Sequence, residues 1–461
     1  MRMIAGMLLA APLCATVWAV QVSVAEAQGR SEAMLSSLER TPHAPTQVLV
    51  QFRYGVSEEG KTLVRERARA HAEEVVVAQA RRSDMKGDLE LWNLPPGLGI
   101  ARAVRELERD AAIEFAEPNW IYHHQASSND PYYTNGSLWG MYGDGTSPSN
   151  PFGSQAGEAW AYKSDCSGTY VGIIDQGMMF THEDLAANAW TNPFDPLDGI
   201  DNDGNGYIDD IHGWDFVGND NDVFDGASDY HGTHVSGTVA ANGGNGNGVV
   251  GVCWKASLIS LKFLSRTSGT LANAIKAVDY ATDLKSRHGL NVVATNNSWG
   301  GGGYSIGLYD AIERANRADI LFVAGAGNSG GNNDSSPFYP ASYSNTNIIS
   351  VAAIDQSGNL PSWSNYGSVS VDLGAPGVGV WSTIPLRNRQ SGYGNYDGTS
   401  MATPHVTGAA ALYAAAHPAS TAASIKAAIL STAAPTGSLS GKAVTGGRLN
   451  ISAALCSPSC P

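Results

Sequence analysis

Three short stretches of this chain carry residues that could do chemistry together. One is Gly398-Thr399-Ser400-Met401-Ala402-Thr403-Pro404-His405-Val406, followed by the Ala-rich run 407–416. A Gly-Thr-Ser turn entering a helix sets the Ser400 hydroxyl and its backbone N–H at the positive end of the helix dipole, where an oxyanion is stabilised. Pro404 is expected in the first helical turn, where its missing N–H does no harm, and His417-Pro418 ends the run. Taken alone, the stretch reads equally well as a small-residue helix start. The others are Asp175, which closes the apolar run Tyr170-Val171-Gly172-Ile173-Ile174, and His231, which opens His231-Gly232-Thr233-His234-Val235-Ser236-Gly237. A serine hydroxyl is a weak nucleophile and needs a base within hydrogen-bond reach. His231 is the candidate base, and Asp175, buried at a strand end, would fix the imidazole tautomer and stabilise the imidazolium. His234 and His405 read as structural. Asp, His and Ser in this chain order form one of the three known arrangements of a serine triad.

Between His231 and Ser400 stand Asn297-Ser298-Trp299-Gly300-Gly301 and Ala324-Gly325-Ala326-Gly327-Asn328. With these five motifs in order, the chain resembles the subtilases, the subtilisin-like serine endopeptidases. The resemblance implies Asp175, His231 and Ser400 as the catalytic residues. It also implies an oxyanion hole made by the Asn328 side-chain amide and the Ser400 N–H. Ser298, Trp299 and Gly300 would be the edge on which substrate adds as an antiparallel strand. Together with Ala324, Gly325 and Ala326 they would wall the primary specificity pocket. Phe338 reads either as the floor of that pocket or as a plain core aromatic. One position departs from the family: Gln176 stands where many subtilases carry a small hydroxyl residue. Gly177 is retained, so the turn should survive with altered local hydrogen bonding.

These residues need a scaffold that brings strand ends together. Continuous apolar runs at 171–174, 258–263, 292–295, 320–324 and 348–354 are typical of strands buried on both faces. Helical patterns at 235–241, 271–285, 306–317, 406–416 and 422–431 alternate with them. That alternation predicts an α/β fold with a doubly wound, mainly parallel, subtilisin-like sheet. In such sheets sites form at the carboxyl ends of strands, where Asp175, Ser298 and Asn328 fall.

The chain has 461 residues, 43% of them hydrophobic, with 53 glycines and a net charge of −15. This suits a loop-rich enzyme and excludes nucleic acid as an expected partner. Residues 1–27 read as a secretory signal: Arg2, an apolar stretch from Met3 to Val20, then Ala25-Glu26-Ala27 as a small-x-small cleavage site. A secreted, extracellular protein without a membrane span after processing is expected. Residues 28–124 differ in texture, with 13 Lys and Arg against 15 Asp and Glu. Their pattern reads strand (48–53), helix (57–80), strand (89–94), helix (100–110) and strand (113–123). The resemblance makes this unit a small α+β, ferredoxin-like pro-domain that inhibits its own enzyme until a cut between His124 and Asp130. The peptidase domain would be 125–461, acting as a monomer on polypeptide substrates. Two other functions remain compatible with the motifs: a binding protein on an inactive subtilase fold, against which the intact triad and Asn328 speak, and the same triad acting on esters.

Residues 183–229 hold 13 Asp and Glu and no Lys or Arg. Carboxylates so dense call for a neutralising cation. Within this stretch, 201–209 matches the first nine positions of a calcium loop, with candidate ligands Asp201, Asp203, Asn205, Tyr207 (through its carbonyl) and Asp209. His212 replaces the closing Glu, so structural calcium is expected without an EF-hand. Asp184 and Asn245-Gly246-Asn247 resemble parts of a second family calcium site. Cys166, Cys253, Cys456 and Cys460 remain after the signal, enough for two disulfides in any of three connectivities. The family topology implies Cys166 with Cys253, leaving Cys456 with Cys460.

Overall fold

A computed structural model describes residues 34–35, 38, 43–81, 86–120 and 127–457. The signal segment, residues 124–126 of the stretch between His124 and Asp130 in which the processing cut is expected, and Cys460 lie outside the described residues. The chain divides into two compact units, 1–123 and 124–461.

In the first unit the order is β1 (His43–Phe52), α1 (Glu58–Ala68), β2 (His71–Val77), β3 (Leu89–Asn93), α2 (Ile100–Leu107) and β4 (Ile113–Trp120). The strands form an antiparallel sheet in the order β2-β3-β1-β4. Val48, Val50, Phe52 and Trp92 alternate inward from the sheet against Val64 and Val104 of the two helices. The single helix expected over 57–80 is corrected here. It stops at Ala68 because Arg69 turns left-handed (φ 52°) and its N–H closes back onto the Arg65 and Glu66 carbonyls. Residues 71–77 then form an edge strand, almost wholly exposed, whose β-branched Val75, Val76 and Val77 suit a pleated ladder. The apparent helical spacing across 64–76 came from two different elements.

The second unit is built on a larger sheet. Its strands are β5 (Asp165–Asp175), β6 (Gly213–Asp215), β7 (Lys255–Lys262), β8 (Val292–Asn297), β9 (Leu321–Gly325), β10 (Ile348–Ile354) and β11 (Leu373–Pro376). A hairpin of β12 (Val380–Pro385) and β13 (Ser391–Tyr396) stands apart, and short β14 (Ala434–Pro435) and β15 (Gly447–Arg448) close one edge. Among the described residues the sheet order is β14-β15-β11-β10-β9-β8-β5-β7-β6, parallel except for β14. The longer helices are α3 (Tyr230–Ala240), α4 (Leu271–His288), α5 (Ile306–Arg317), α6 (Thr399–Ala416) and α7 (Ala422–Ser431). Successive strand residues point to opposite layers: Val171, Ile173, Leu321 and Val323 join the core with α3 and α6, whereas Ile174 and Phe322 join the core with α4 and α5. The sheet is therefore covered on both faces. β5 lies between β7 and β8, so the winding reverses at its carboxyl end, next to Asp175.

Cys166 and Cys253 form a disulfide that ties the start of β5 to the residues just before β7. The sequence showed no strand at β11 or in the β12–β13 hairpin, where the apolar residues stand singly or in pairs and form no long run.

Candidate active site

Ser400 enters the site on α6, a helix so apolar that residues 399–414 are all buried except Ser400 itself. The helix begins at Thr399, seven residues before the expected 406, and Pro404 is its sixth residue, not a first-turn one. This correction has a chemical consequence. Pro404 cannot donate to the Ser400 carbonyl four residues earlier, and that carbonyl accepts instead from the Ser298 hydroxyl at 2.8 Å. The Ser400 hydroxyl in turn donates to the Ser298 carbonyl at 3.1 Å. Behind this pair, the Asn296 side-chain amide donates to Ser298 Oγ (3.0 Å) and accepts from Thr407 Oγ1 (3.0 Å). The end of β8 and the start of α6 are thus fastened by buried polar contacts.

Asp175 is the last residue of β5 and fully buried. His231 is the second residue of α3, and its Nδ1 lies 2.8 and 3.0 Å from the two Asp175 carboxylate oxygens. The Asp175 oxygen nearer the ring also accepts the Gln176 N–H at 2.7 Å. Burial works against the imidazolium, but the charge and hydrogen bond of Asp175 outweigh it, and the His231 pKa lies above the ordinary histidine value. His234 and His405 behave differently. Burial pushes them down to about 3 and about 4, and their ring nitrogens bond the Val380 and Met401 carbonyls. Both are neutral packing residues.

Asn328 follows the end of β9. Its Oδ1 accepts both the Thr399 N–H (2.9 Å) and the Thr399 hydroxyl (3.0 Å), which leaves Nδ2 as the end available to a ligand. A Cβ built on Gly398 would stand 3.5 Å from Ser400 N and 3.6 Å from Asn328 Nδ2. Two N–H donors therefore flank one small space beside the Ser400 turn, the arrangement an oxyanion needs.

The residues expected on the substrate side are distributed unevenly. Ser298 is engaged with Ser400, and the Trp299 ring packs on Phe263 with centroids 4.7 Å apart. Ala324 and Ala326 commit their methyls to separate core clusters, and Gly325 backs onto Thr399 and Thr403. This stretch offers a substrate backbone, not side chains. Phe338 lies between the two stretches: a Cβ on Gly300 would come within 2.4 Å of its ring and one on Gly327 within 3.1 Å.

The acidic stretch is organised by side chains capping amides. Asp201 Oδ1 and Asp203 Oδ1 accept the same Asn205 N–H, at 3.1 and 3.0 Å. The Asn205 side-chain amide bridges Asp203 (3.2 Å) and Asp210 (2.7 Å). Tyr207 packs its ring on Trp214, Phe216 and Tyr280. Asp209 turns elsewhere: its φ is +58° and its carboxylate accepts the Asp198 and Gly199 amides, each at 2.9 Å. Asp201, Asp203 and Asn205 share one turn and Asp209 serves another. Two residues the sequence did not flag are more buried. Asp195 accepts the Asn202 and Asp209 amides, at 2.8 and 2.7 Å. Asp210 is pushed up to about 6 by burial, with the Asp203 charge adding to it. Asp210 stands one position past the ninth of the loop pattern, and Asp195 lies outside the pattern altogether. Among the described residues, no group of three or more His, Cys, Asp or Glu is arranged to hold a metal ion. At the other expected site, Asp184 accepts from the Asn245 side chain and the Val249 amide, each at 2.9 Å.

Residues 166–450 match the subtilase family. The chain belongs to this family. It is 34% identical over 379 residues to the thermophilic serine proteinase of Bacillus sp. (strain AK1), covering 82% of this chain and 80% of that one. Thermitase of Thermoactinomyces vulgaris is 37% identical over 287 residues, 62% of this chain and 85% of thermitase. A solved protease structure from Pseudoalteromonas arctica PAMC 21717 superposes with a TM-score of 0.58 at 28% identity, covering 72% of this chain and 100% of that one. As a subtilase the protein is a serine-type endopeptidase, a hydrolase. No helix among the described residues is long and apolar enough to cross a membrane.

Proposed function

We propose that this subtilase cleaves polypeptides through Asp175, His231 and Ser400, by way of an acyl-enzyme. The observation that carries the reading is the His231 ring held by its Nδ1 between both oxygens of a fully buried carboxylate. That bond leaves Nε2 as the basic nitrogen and stabilises the ring once it is protonated. Before attack, the Ser400 proton must leave the Ser298 carbonyl for His231 Nε2. Oγ then adds to the scissile carbonyl carbon, and the carbonyl oxygen takes up the negative charge between Ser400 N and Asn328 Nδ2. The imidazolium returns its proton to the departing amine, and water, deprotonated by the same ring, releases the acid and regenerates Ser400. Substrate would pair along the Ser298–Gly300 edge. With the Phe338 ring against Gly300 and Gly327, the primary pocket suits small side chains.

Residues 1–27 would direct secretion and 28–124 would restrain the enzyme until self-cleavage. The βαββαβ unit ahead of the peptidase supports the second point. Calcium is the proposed structural cofactor. The turn carries the Asp201 and Asp203 carboxylates, the oxygen ligands a hard cation requires, with the Asn205 amide nitrogen directed at Asp203 and Asp210, and the Asp203 carboxyl is raised by burial and by neighbouring Asp195. Bound calcium would neutralise this crowding. The decisive experiment is casein hydrolysis by the secreted wild type and by Ser400→Ala, with the N-terminus of each determined by mass spectrometry. Wild type should digest casein and begin near residue 125. The Ser400→Ala protein should be inert and keep its N-terminal unit. Casein cleavage by Ser400→Ala would end the proposal.

A further inference from the structure

We propose that Gln176 is a positioning residue that ties the Asp175–His231 pair to the loop 264–269 beside the substrate edge. The inference rests on the triad reading above.

Gln176 is 7% exposed, and every polar group it has is engaged. Its N–H donates to Asp175 Oδ1 (2.7 Å), the oxygen that also faces the His231 ring. Its Oε1 accepts the backbone N–H of His231 (3.2 Å). Its Nε2 donates to the Arg266 carbonyl (2.9 Å). Its own carbonyl accepts from the Lys262 ammonium.

The second of these bonds supplies what the helix lacks. First-turn amides have no partners within a helix, and the residue at the N-cap of α3, Asp229, makes no side-chain cap bond. Gln176 provides the missing acceptor from the strand that carries Asp175, so the strand end and the helix start are fixed to each other. The Asp229 carboxylate is instead held by Lys262 at 2.9 Å, and the Lys262 side chain is 1% exposed. One buried ammonium thus anchors both the residue after Asp175 and the residue two before His231.

The bond to Arg266 extends this frame outward. Loop 264–269 is closed by a bridge between Leu264 and Gly269 and a Ser265–Ser268 turn. It follows Phe263, whose ring packs on Trp299 of the proposed substrate edge. A serine or threonine carries one oxygen directly on Cβ. It could not place an acceptor on His231 and a donor on Arg266 at once, whereas glutamine carries both at the end of a longer arm. In this chain the loop and the catalytic pair form one hydrogen-bonded unit through Gln176, and the proposed substrate edge packs against it through Phe263 and Trp299.

The test uses the mature enzyme with a peptide amide substrate. It compares wild type, Ser400→Ala, Gln176→Met and Gln176→Glu, with active sites counted by a serine-directed covalent inhibitor. Gln176→Met keeps the volume and removes both side-chain bonds. Per titrated site it should lose about tenfold in kcat with KM within twofold, since a small misplacement of catalytic groups lowers turnover steeply. Gln176→Glu sets a negative charge against the His231 backbone N–H, which favours the protonated form of that residue's imidazole, and should move the acid limb of the kcat profile to higher pH. A Gln176→Met enzyme within twofold of wild-type kcat per site, or an unmoved acid limb in Gln176→Glu, overturns the inference. An active Ser400→Ala would overturn the triad reading instead, so the two failures are distinguishable.

Discussion

The rim of the sheet and the acidic stretch 183–229 are both rich in functional side chains, yet they are built in opposite ways. At the rim, Asp175, Ser298 and Asn328 sit at or just past the ends of three strands whose register is fixed by buried ladders. Ser400 and His231 come from helices packed on one face of the same sheet. In the acidic stretch the loop carboxylates act locally: Asp201, Asp203, Asp209 and Asp195 each cap amides no more than 15 residues away. Geometry at the rim is therefore a property of the whole core. Geometry in the loop depends on what neutralises its charge.

The largest effect should come from the rim. Asp175→Asn removes the charge that holds His231 and reverses the tautomer preference, so kcat should fall about 10⁴-fold while the protein stays folded. A drop under tenfold in steady-state kinetics would mean that the pair is not catalytic. Next comes Gly398→Ala, which sets a methyl within 3.6 Å of both proposed oxyanion donors. Turnover should decline about 10²-fold, the lower end of what losing one such donor costs in subtilisin itself. An unchanged kcat would show that the oxyanion binds elsewhere.

The loop should respond through stability instead. The Asp210 carboxyl sits near 6 in the folded protein, above an ordinary value of about 4. A raised carboxyl pKa means the folded form loses stability as pH climbs from about 4 through about 6, and a bound cation offsets this loss. Chelation should therefore lower Tm by on the order of 5 °C at pH 8 and far less at pH 5. Equal shifts at both values would break the link between the carboxyl cluster and calcium. The smallest effect belongs to specificity. Phe338→Gly should open the pocket and improve relative kcat/KM for large over small P1 residues by roughly tenfold, the lower end of what one methylene in an apolar pocket confers. An unchanged peptide-library profile would return Phe338 to the core.

Several elements were legible in sequence because one local property sufficed. The five buried strands 171–174, 258–263, 292–295, 320–324 and 348–354 announce themselves as apolar runs, and the observed strands contain or overlap each of them. Other features depend on partners far along the chain. The end of α1 at Ala68 and the edge strand at 71–77 share a spacing that fits a helix until β3 is there to pair with. Pro404 looked like a helix-start residue, and only the Ser298 hydroxyl, 106 positions earlier, explains how its missing bond is replaced.

By itself the sequence determined the order of the candidate residues Asp175, His231 and Ser400, the strand that ends on Asp175 and the one that ends three residues before Asn328, and the charge imbalance of residues 183–229. Those follow from side-chain chemistry and from periodicities of two and 3.6 residues, which act over short distances. The tertiary structure alone decided that Asp210, not Asp209, lies buried beside Asp203, that Phe338 reaches both Gly300 and Gly327, and that Gln176 joins Asp175, His231 and Arg266. Each of these is a contact between separate elements or the outcome of one turn among several possible, and packing selects it only when the whole sheet has closed.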